Sequence, residues 1–412
     1  MKKLILVITI LLTFSCANSQ ETKVDKSKIE EDFEQIISDI KNNYIYLNDK
    51  KVDIDCVYSN YQKKIQFIDS EAQRLLFFEY LLDEFYDSHI ILMRAIRKSY
   101  RLDSPIFTVT KEAKTKIKNV WQTQIENINL NIIGAEILKI NGIDISIKID
   151  NFPTICNDKN DFETRNWIAN KVISGKYNEP RILTLKLTNG KIVDFDLDNV
   201  KLKKDNSLLT VSTVNNIGII RLNNSLGENT LIEKFDIAID SLQKTKGLII
   251  DLRNTTGGGN SYVARGIMSR FIDKNLPYQL HQVSDESWDN QPIIKRSWAE
   301  YVSPRNKQYK NPIVILVGKW TGSMGEGLAI GFDGLGRAEI VGTEMKRLAG
   351  GSTNDFHLKN EKLNYKLITE KIFHINGTPR EKYIPENYVS QSTIEKDETL
   401  EKGIELINKM AE

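Results

Sequence analysis

The sequence predicts an α/β protein, and three observations carry that expectation. Through the second half of the chain, short apolar runs alternate with amphipathic ones, as in "IGIIRL", "TLIEKFDIAIDSLQK" and "GLIIDL". The run "GLIIDL" has no polar alternation, which is how a strand buried on both faces of a parallel sheet reads. The length, 412 residues, is enough for two or three domains with cores of their own. Charge is close to balance, with 57 Lys and Arg against 55 Asp and Glu. No basic block or aromatic-basic stripe marks a nucleic-acid surface, so that partner is set aside.

Taken in order, the chain opens on "MKKLILVITILLTFSC". Lys2 and Lys3 precede an apolar run from Leu4 to Leu12, too short to span a bilayer but suited to a signal-peptide core. Small or polar residues then lead into Cys16. Residues 1–20 resemble a bacterial lipoprotein signal, which implies that Cys16 is lipidated and anchors the chain to the cell envelope, facing the periplasm or the exterior. A plain cleaved signal with an incidental cysteine is the alternative. Polar residues from Ala17 to Lys28 read as a solvated tether.

Residues 21–100 form a helical segment, because "IEEDFEQIISDIKNNY" and "SEAQRLLFFEYLLDEFY" place apolar residues three and four apart. The pattern turns strand-like at "DSHIILMRAI". Residues 101–205 are short β runs with Gly and Asn punctuation, plus one helix near "FETRNWIANKVI". Their hexamer "LKINGI" resembles a strand and turn of PDZ domains, so this segment is expected to be a PDZ-like insert. Residues 206–412 hold the α/β core, an irregular Trp-rich insertion near 285–310, a polar β region and the closing helix "ETLEKGIELINKM". Cys56 and Cys156 have no metal-site or CxxC spacing. They could pair, and buried free thiols are an equal reading.

The chemistry concentrates on "NPIVILVGKWTGSMGEGLAIGF". A buried strand, Ile313 to Val317, breaks at a Thr-Gly-Ser turn and resumes as a helix at Ser323. Ser-Met-Gly-Glu is a capping-box pattern, so Ser323 and Glu326 have a purely structural reading. A helix N-terminus also gathers N–H groups that favour negative charge, so a serine there can stabilise its own oxyanion. In "GLIIDLRNTTGGGNS" three glycines follow the buried strand, permitting close backbone approach. The loop is no phosphate cradle, because the chain has no G-K-[ST].

Together, "GLIIDLRNTTGGG", "PIVILVGKWTGSMGEGLA" and "AEIVGT" resemble peptidase family S41, which includes the carboxy-terminal processing proteases and the tricorn core. Asp251, Leu252, Arg253, Gly257, Gly258, Thr321, Ser323, Glu326, Val341 and Gly342 fall on its motifs, and "REKYIPENYV" resembles its closing segment. The resemblance implies a ClpP/crotonase-like α/β spiral with a PDZ-like insert, acting on polypeptides without metal or cofactor.

A serine nucleophile needs a base. The processing-protease branch carries a lysine where this chain has Leu348, with Lys346 out of register. The tricorn-like branch uses a Ser-His pair and a downstream glutamate, matched here by Ser88, His89 and Glu381. The resemblance therefore implies a serine endopeptidase. Ser323 attacks, His89 moves the proton, Ser88 and Glu381 support the imidazole, and the N–H of Met324 with that of Gly257 or Gly258 holds the oxyanion. An ordinary imidazole places the acid limb of activity near neutrality. His281, His357 and His374 read as surface or strand residues. Two other readings stay open: a catalytically silent binding protein on this fold, and a Ser–Lys peptidase using Lys346.

Overall fold

The computed structural model describes residues 24–285, 294–351, 356–360 and 363–412. Segment 1–20, with Cys16, lies outside them. Among the described residues no helix is long and apolar enough to cross a membrane.

The helical segment comprises α1 (Lys26–Asn43), α2 (Ile54–Lys64) and α3 (Glu71–Asp83), followed by strand β1 (Ile91–Leu92). Each helix begins at a side-chain cap: Asp25 accepts from Ser27 N–H, Asp53 from Asp55 and Cys56, and Ser70 from Gln73. Ile29, Phe33, Ile36, Ile37 and Ile40 recur at helical spacing on α1 and are all buried.

The insert is antiparallel: β2 (Ile106–Lys111), β3 (Lys114–Val120), β4 (Glu136–Ile140), β5 (Ile143–Asp144), β6 (Ile182–Lys186) and β7 (Ile192–Asp196). Helices α4 (Ile145–Asp150) and α5 (Phe162–Ser174) accompany the sheet. Strand β2 is an edge, and α5 blunts it. Asn170 accepts from Thr108 N–H at 2.9 Å and donates to Thr108 O at 3.0 Å, while Asn166 accepts from Thr110 N–H at 2.6 Å. These amides occupy the groups that an added strand would use.

The core then runs β8 (Leu209–Val214), β9 (Ile217–Leu222), α6 (Leu231–Ser241), β10 (Gly247–Asp251), α7 (Ser261–Met268), β11 (Leu276–Asp285), β12 (Ile294–Val302), β13 (Ile313–Val317), α8 (Met324–Gly334) and β14 (Glu339–Gly342). It closes with β15 (Phe356–His357), β16 (Asn364–Lys366), β17 (Lys371–Phe373), β18 (Asn387–Tyr388) and α9 (Glu398–Ala411). The main sheet has the order β18-β14-β13-β10-β9-β8, parallel except for β8. Its strands are apolar on both faces because both are covered. Leu248, Ile250, Ile313 and Ile315 pack toward α6, α7 and α8, whereas Ile249, Val314 and Leu316 meet Ile407 of α9.

Three expectations change here. Part of the Trp-rich insertion, Ile294–Val302, is strand β12, paired with β11 from Leu276↔Val302 to Asp285↔Ile294. The helical segment does not end near residue 100. Leu358, Leu363, Tyr365, Leu367 and Ile368 share its core, and β16 pairs with β1. A long return from the C-terminal region thus completes a unit too small to bury its own apolar faces. Finally, Cys56 and Cys156 are a disulfide, with Cα atoms 5.9 Å apart across a sequence separation of 100.

The disulfide ties α2 to the insert where Glu84 accepts N–H bonds from Ile155 at 2.6 Å and Cys156 at 2.9 Å. Cross-linking so long a loop limits the unfolded chain, so Cys56→Ser should cost about 2–4 kcal/mol. Thermal melts of wild type and variant, each with and without reductant, check this. Reduction should lower the wild-type midpoint and leave the variant's where it is.

Candidate active site

Two loops at the carboxyl ends of adjacent parallel strands build the site, the position where open α/β sheets place ligands. After β10, Leu252 O accepts from Thr321 Oγ1 at 3.0 Å, and Thr255 O accepts from Gly322 N at 2.9 Å. These bonds seat the serine turn against the glycine loop. Gly325 is required by that closeness, since a Cβ there would lie 2.3 Å from Thr255 Oγ1.

Ser323 precedes α8 with φ 52° and ψ −114°. A non-glycine residue at positive φ is strained, and the surroundings over-determine it. The buried Glu326 carboxylate accepts from Ser323 N at 2.8 Å, Arg347 N at 2.7 Å and Leu348 N at 3.2 Å. Burial raises the Glu326 pKa, while Arg380 and these three N–H groups favour its charged form. One half of the sequence-level capping box is therefore a clamp between the serine turn and residues 347–348. The serine hydroxyl also faces His89, with Oγ 3.4 Å from Nε2.

His89 is buried, 3% exposed, in the turn between α3 and β1. Its N–H donates to Asp87 Oδ1 at 2.9 Å, and Asp87 Oδ2 accepts from Tyr44 OH at 2.8 Å. The ring nitrogen Nδ1 lies 2.9 Å from Ala349 O. A carbonyl can only accept, so Nδ1 carries the proton and Nε2 presents its lone pair toward Ser323. Burial, then the positive charges of Lys366 and Arg380, lower the His89 pKa to about 3. The imidazole is held neutral, the form a base requires.

The other expected residues divide. Met324 is the first residue of α8, where an N–H has no intrahelical acceptor. Gly258 borders Ser323, since a Cβ on it would sit 3.9 Å from Ser323 Oγ. The Gly257 N–H is committed to Asn224 Oδ1 at 2.6 Å, which leaves Gly258 as the glycine beside Ser323. Ser88 is exposed, and its hydroxyl accepts from Trp167 Nε1 at 3.1 Å. Consecutive residues in this turn point apart, so Ser88 does not meet the imidazole. Glu381 lies behind the site facing Tyr46, and its carboxyl is raised chiefly by burial.

Support for the imidazole comes instead from the backbone. Buried Arg380 donates to Leu348 O at 3.0 Å and to Gly350 O, fixing the carbonyls on either side of Ala349. Lys346 is paired with Asp103 at 2.7 Å and donates to Thr256 O at 3.4 Å. Lys366, by contrast, brings Nζ within 3.1 Å of His89 Nε2. No motif pointed to Lys366 or Ala349, and Arg380, which opens "REKYIPENYV", was given no role by that segment.

His281 lies in β11 and His357 in β15, as a strand reading expects, whereas His374 is buried just beyond β17; His281 is buried as well. His281 lies between Glu300 and Glu370 at 3.1 and 3.3 Å, and His374 faces Asp333 at 3.2 Å. Burial opposes the His281 charge, but the two carboxylates outweigh it and push its pKa up to about 9. Among the described residues no group of three or more His, Cys, Asp or Glu is arranged to hold a metal ion.

A strained serine at a helix N-terminus, faced by a neutral imidazole, defines a serine-hydrolase arrangement. Residues 216–390 match the model of Peptidase family S41, and residues 25–83 match that of the Tricorn protease C1 domain. The core of this chain is thus similar to peptidase family S41 over residues 216–390, and the chain is a serine-type peptidase. No curated protein matches it by sequence alone. Its fold is similar to that of mature CPAF, at 13% identity, covering 94% of this chain and 96% of that one with a TM-score of 0.62. A photosystem II D1 C-terminal processing protease follows, at 15% identity, 94% and 97% coverage and TM-score 0.53. A putative peptidase from Parabacteroides merdae has 16% identity, 92% and 96% coverage and TM-score 0.52.

Proposed function

We propose that the chain is an endopeptidase in which Ser323 is the nucleophile and His89 the base. The contact of Ser323 Oγ with His89 Nε2 at 3.4 Å, on an imidazole whose Nδ1 is held by Ala349 O, carries this reading. Ser323 Oγ adds to the scissile carbonyl carbon while its proton passes to Nε2. The tetrahedral oxyanion is met by the N–H of Met324, aided by the α8 dipole, and by that of Gly258. As the C–N bond breaks, the same proton goes from Nε2 to the leaving amine, and water repeats the sequence on the acyl-enzyme.

The third member of the usual triad is here a backbone carbonyl fixed by Arg380, with Glu381 one step further out. Substrates are polypeptides of the cell envelope, reached by an enzyme anchored through lipid on Cys16. The insert is PDZ-like in this reading, and a substrate adding to β2 must first displace Asn166 and Asn170.

Exposure of the folded protein to a fluorophosphonate probe, followed by peptide mapping, tests the nucleophile. Ser323 should carry the label, and Ser323→Ala should abolish it while costing less than about 1 kcal/mol, since the hydroxyl is turned to His89. A folded wild type that stays unlabelled would return the chain to the silent binding reading.

A further inference from the structure

We infer that Lys366 is a positioning residue of this site, holding His89 neutral and in the tautomer that presents Nε2 to Ser323. The inference rests on His89 being the base proposed above. Its geometry is fixed by the fold. Strand β16 pairs with β1 so that Lys366 stands opposite Ile91, two residues beyond His89. Tyr365 on the same strand is buried in the helical core, so the alternation of a strand turns Lys366 to the other face. There Nζ lies 3.1 Å from Nε2.

An ammonium can only donate, so this contact demands an unprotonated Nε2. Ala349 O, on the opposite side of the ring, demands a protonated Nδ1. The two contacts select one tautomer between them. Ser323 Oγ, at 3.4 Å, shares the same Nε2 from a third direction. Arg380 and Lys346 also act on the ring, both cationic, while Asp87 holds the His89 backbone N–H and the Tyr44 hydroxyl rather than the ring. An imidazolium formed here has a cation at contact distance, which disfavours its persistence and urges the proton onward to the leaving amine.

This assignment explains why a cation lies against a base that must itself become cationic. Lys366 weakens His89 as a base but keeps the fraction of neutral imidazole near unity far into acid. It is also a device the helical segment cannot provide alone, because β16 belongs to the return from the C-terminal region.

Histidine NMR reads the proposal without relying on catalysis. The chain has 4 histidines, so selective ring labelling gives a resolvable set, with His89 assigned by its loss in His89→Gln. Wild type should show a neutral ring with the proton on Nδ1 from about pH 5 to 8. In Lys366→Met the His89 midpoint should rise by about one pH unit or more, because a contacting like charge is gone. Lys366→Arg, which keeps the charge, should stay with wild type. A proton on Nε2 in wild type, or the same His89 titration in Lys366→Met as in wild type, overturns the assignment. The wild-type measurement stands even where a variant fails to fold. Fluorophosphonate labelling run on the same samples judges the base reading separately: an unlabelled folded wild type removes the peptidase mechanism and leaves the ring titration to decide Lys366.

Discussion

His89→Ala should reduce fluorophosphonate labelling of Ser323 and peptide hydrolysis by a factor of about 10³ or more, whereas Lys346→Ala should change both by only a few-fold. The contrast follows from where each base candidate is held. His89 presents Nε2 to Ser323 Oγ with its other nitrogen fixed. Lys346 spends its side-chain nitrogen on Asp103 and on Thr256 O rather than on Ser323 Oγ. The opposite pair of outcomes would place the chain in the Ser–Lys branch.

The pH dependence sharpens the test. An ordinary imidazole gives an acid limb near neutrality, but burial together with Lys366 and Arg380 moves this one down toward about 3. Activity should therefore persist well below pH 6. The same shift acts on stability. Between the ordinary value of 6.5 and about 3 the unfolded chain binds a proton that the folded chain refuses, so stability falls as pH drops through that window. A kcat/KM profile with its acid limb near neutrality would show His89 to be more solvated than its surroundings imply.

How much of this was legible in the sequence depended on whether the signal was local. The strand Ile313–Val317, the turn and the helix after Ser323 lie within one continuous stretch, so periodicity and capping pattern sufficed. The same holds for β9, α6 and β10, and for α9 with its cap at Asp397. The imidazole's supports come from residues 349, 366 and 380, brought to residue 89 by β16 pairing with β1 and by Arg380 reaching two backbone carbonyls. A backbone carbonyl has no letter in a sequence, and a single lysine on a short strand has no period. Ser88 illustrates the converse. It matched a pattern next to His89, yet adjacent side chains in that turn point apart, and Ser88 turned to Trp167. The disulfide stayed one of two open readings for the same reason, since Cys56 and Cys156 are 100 residues apart in the chain.

Arg253→Ala should destabilise the protein by about 3–5 kcal/mol at pH 7, the usual cost of leaving one member of a buried ion pair alone. Asp251 ends β10 at 1% exposure, and Arg253 reaches it with Nε at 2.9 Å and Nη2 at 2.8 Å. The same guanidinium donates to both oxygens of Asp397, at 2.6 and 2.9 Å, and Asp397 caps α9 through Leu400 N. One arginine thus joins the strand that carries the glycine loop to the helix covering the far face of the sheet. Arg221 remains at 3.0 Å from Asp251 in the variant, which favours the lower end of the range. Burial opposes the Asp251 charge, but Arg253 and then Arg221 hold its pKa down to about 2, below the ordinary 3.8. The sign follows: this carboxylate contributes stability that is present above about pH 4 and lost as pH falls toward 2. In Arg253→Ala the depression is largely gone, so Asp251 takes up its proton at higher pH and no longer needs a partner once neutral. Denaturant titrations of both proteins at pH 7 and near pH 3 should therefore give a stability difference that narrows in acid. A difference of equal size at both pH values would mean that Arg253 stabilises by packing of its stem rather than by its charge.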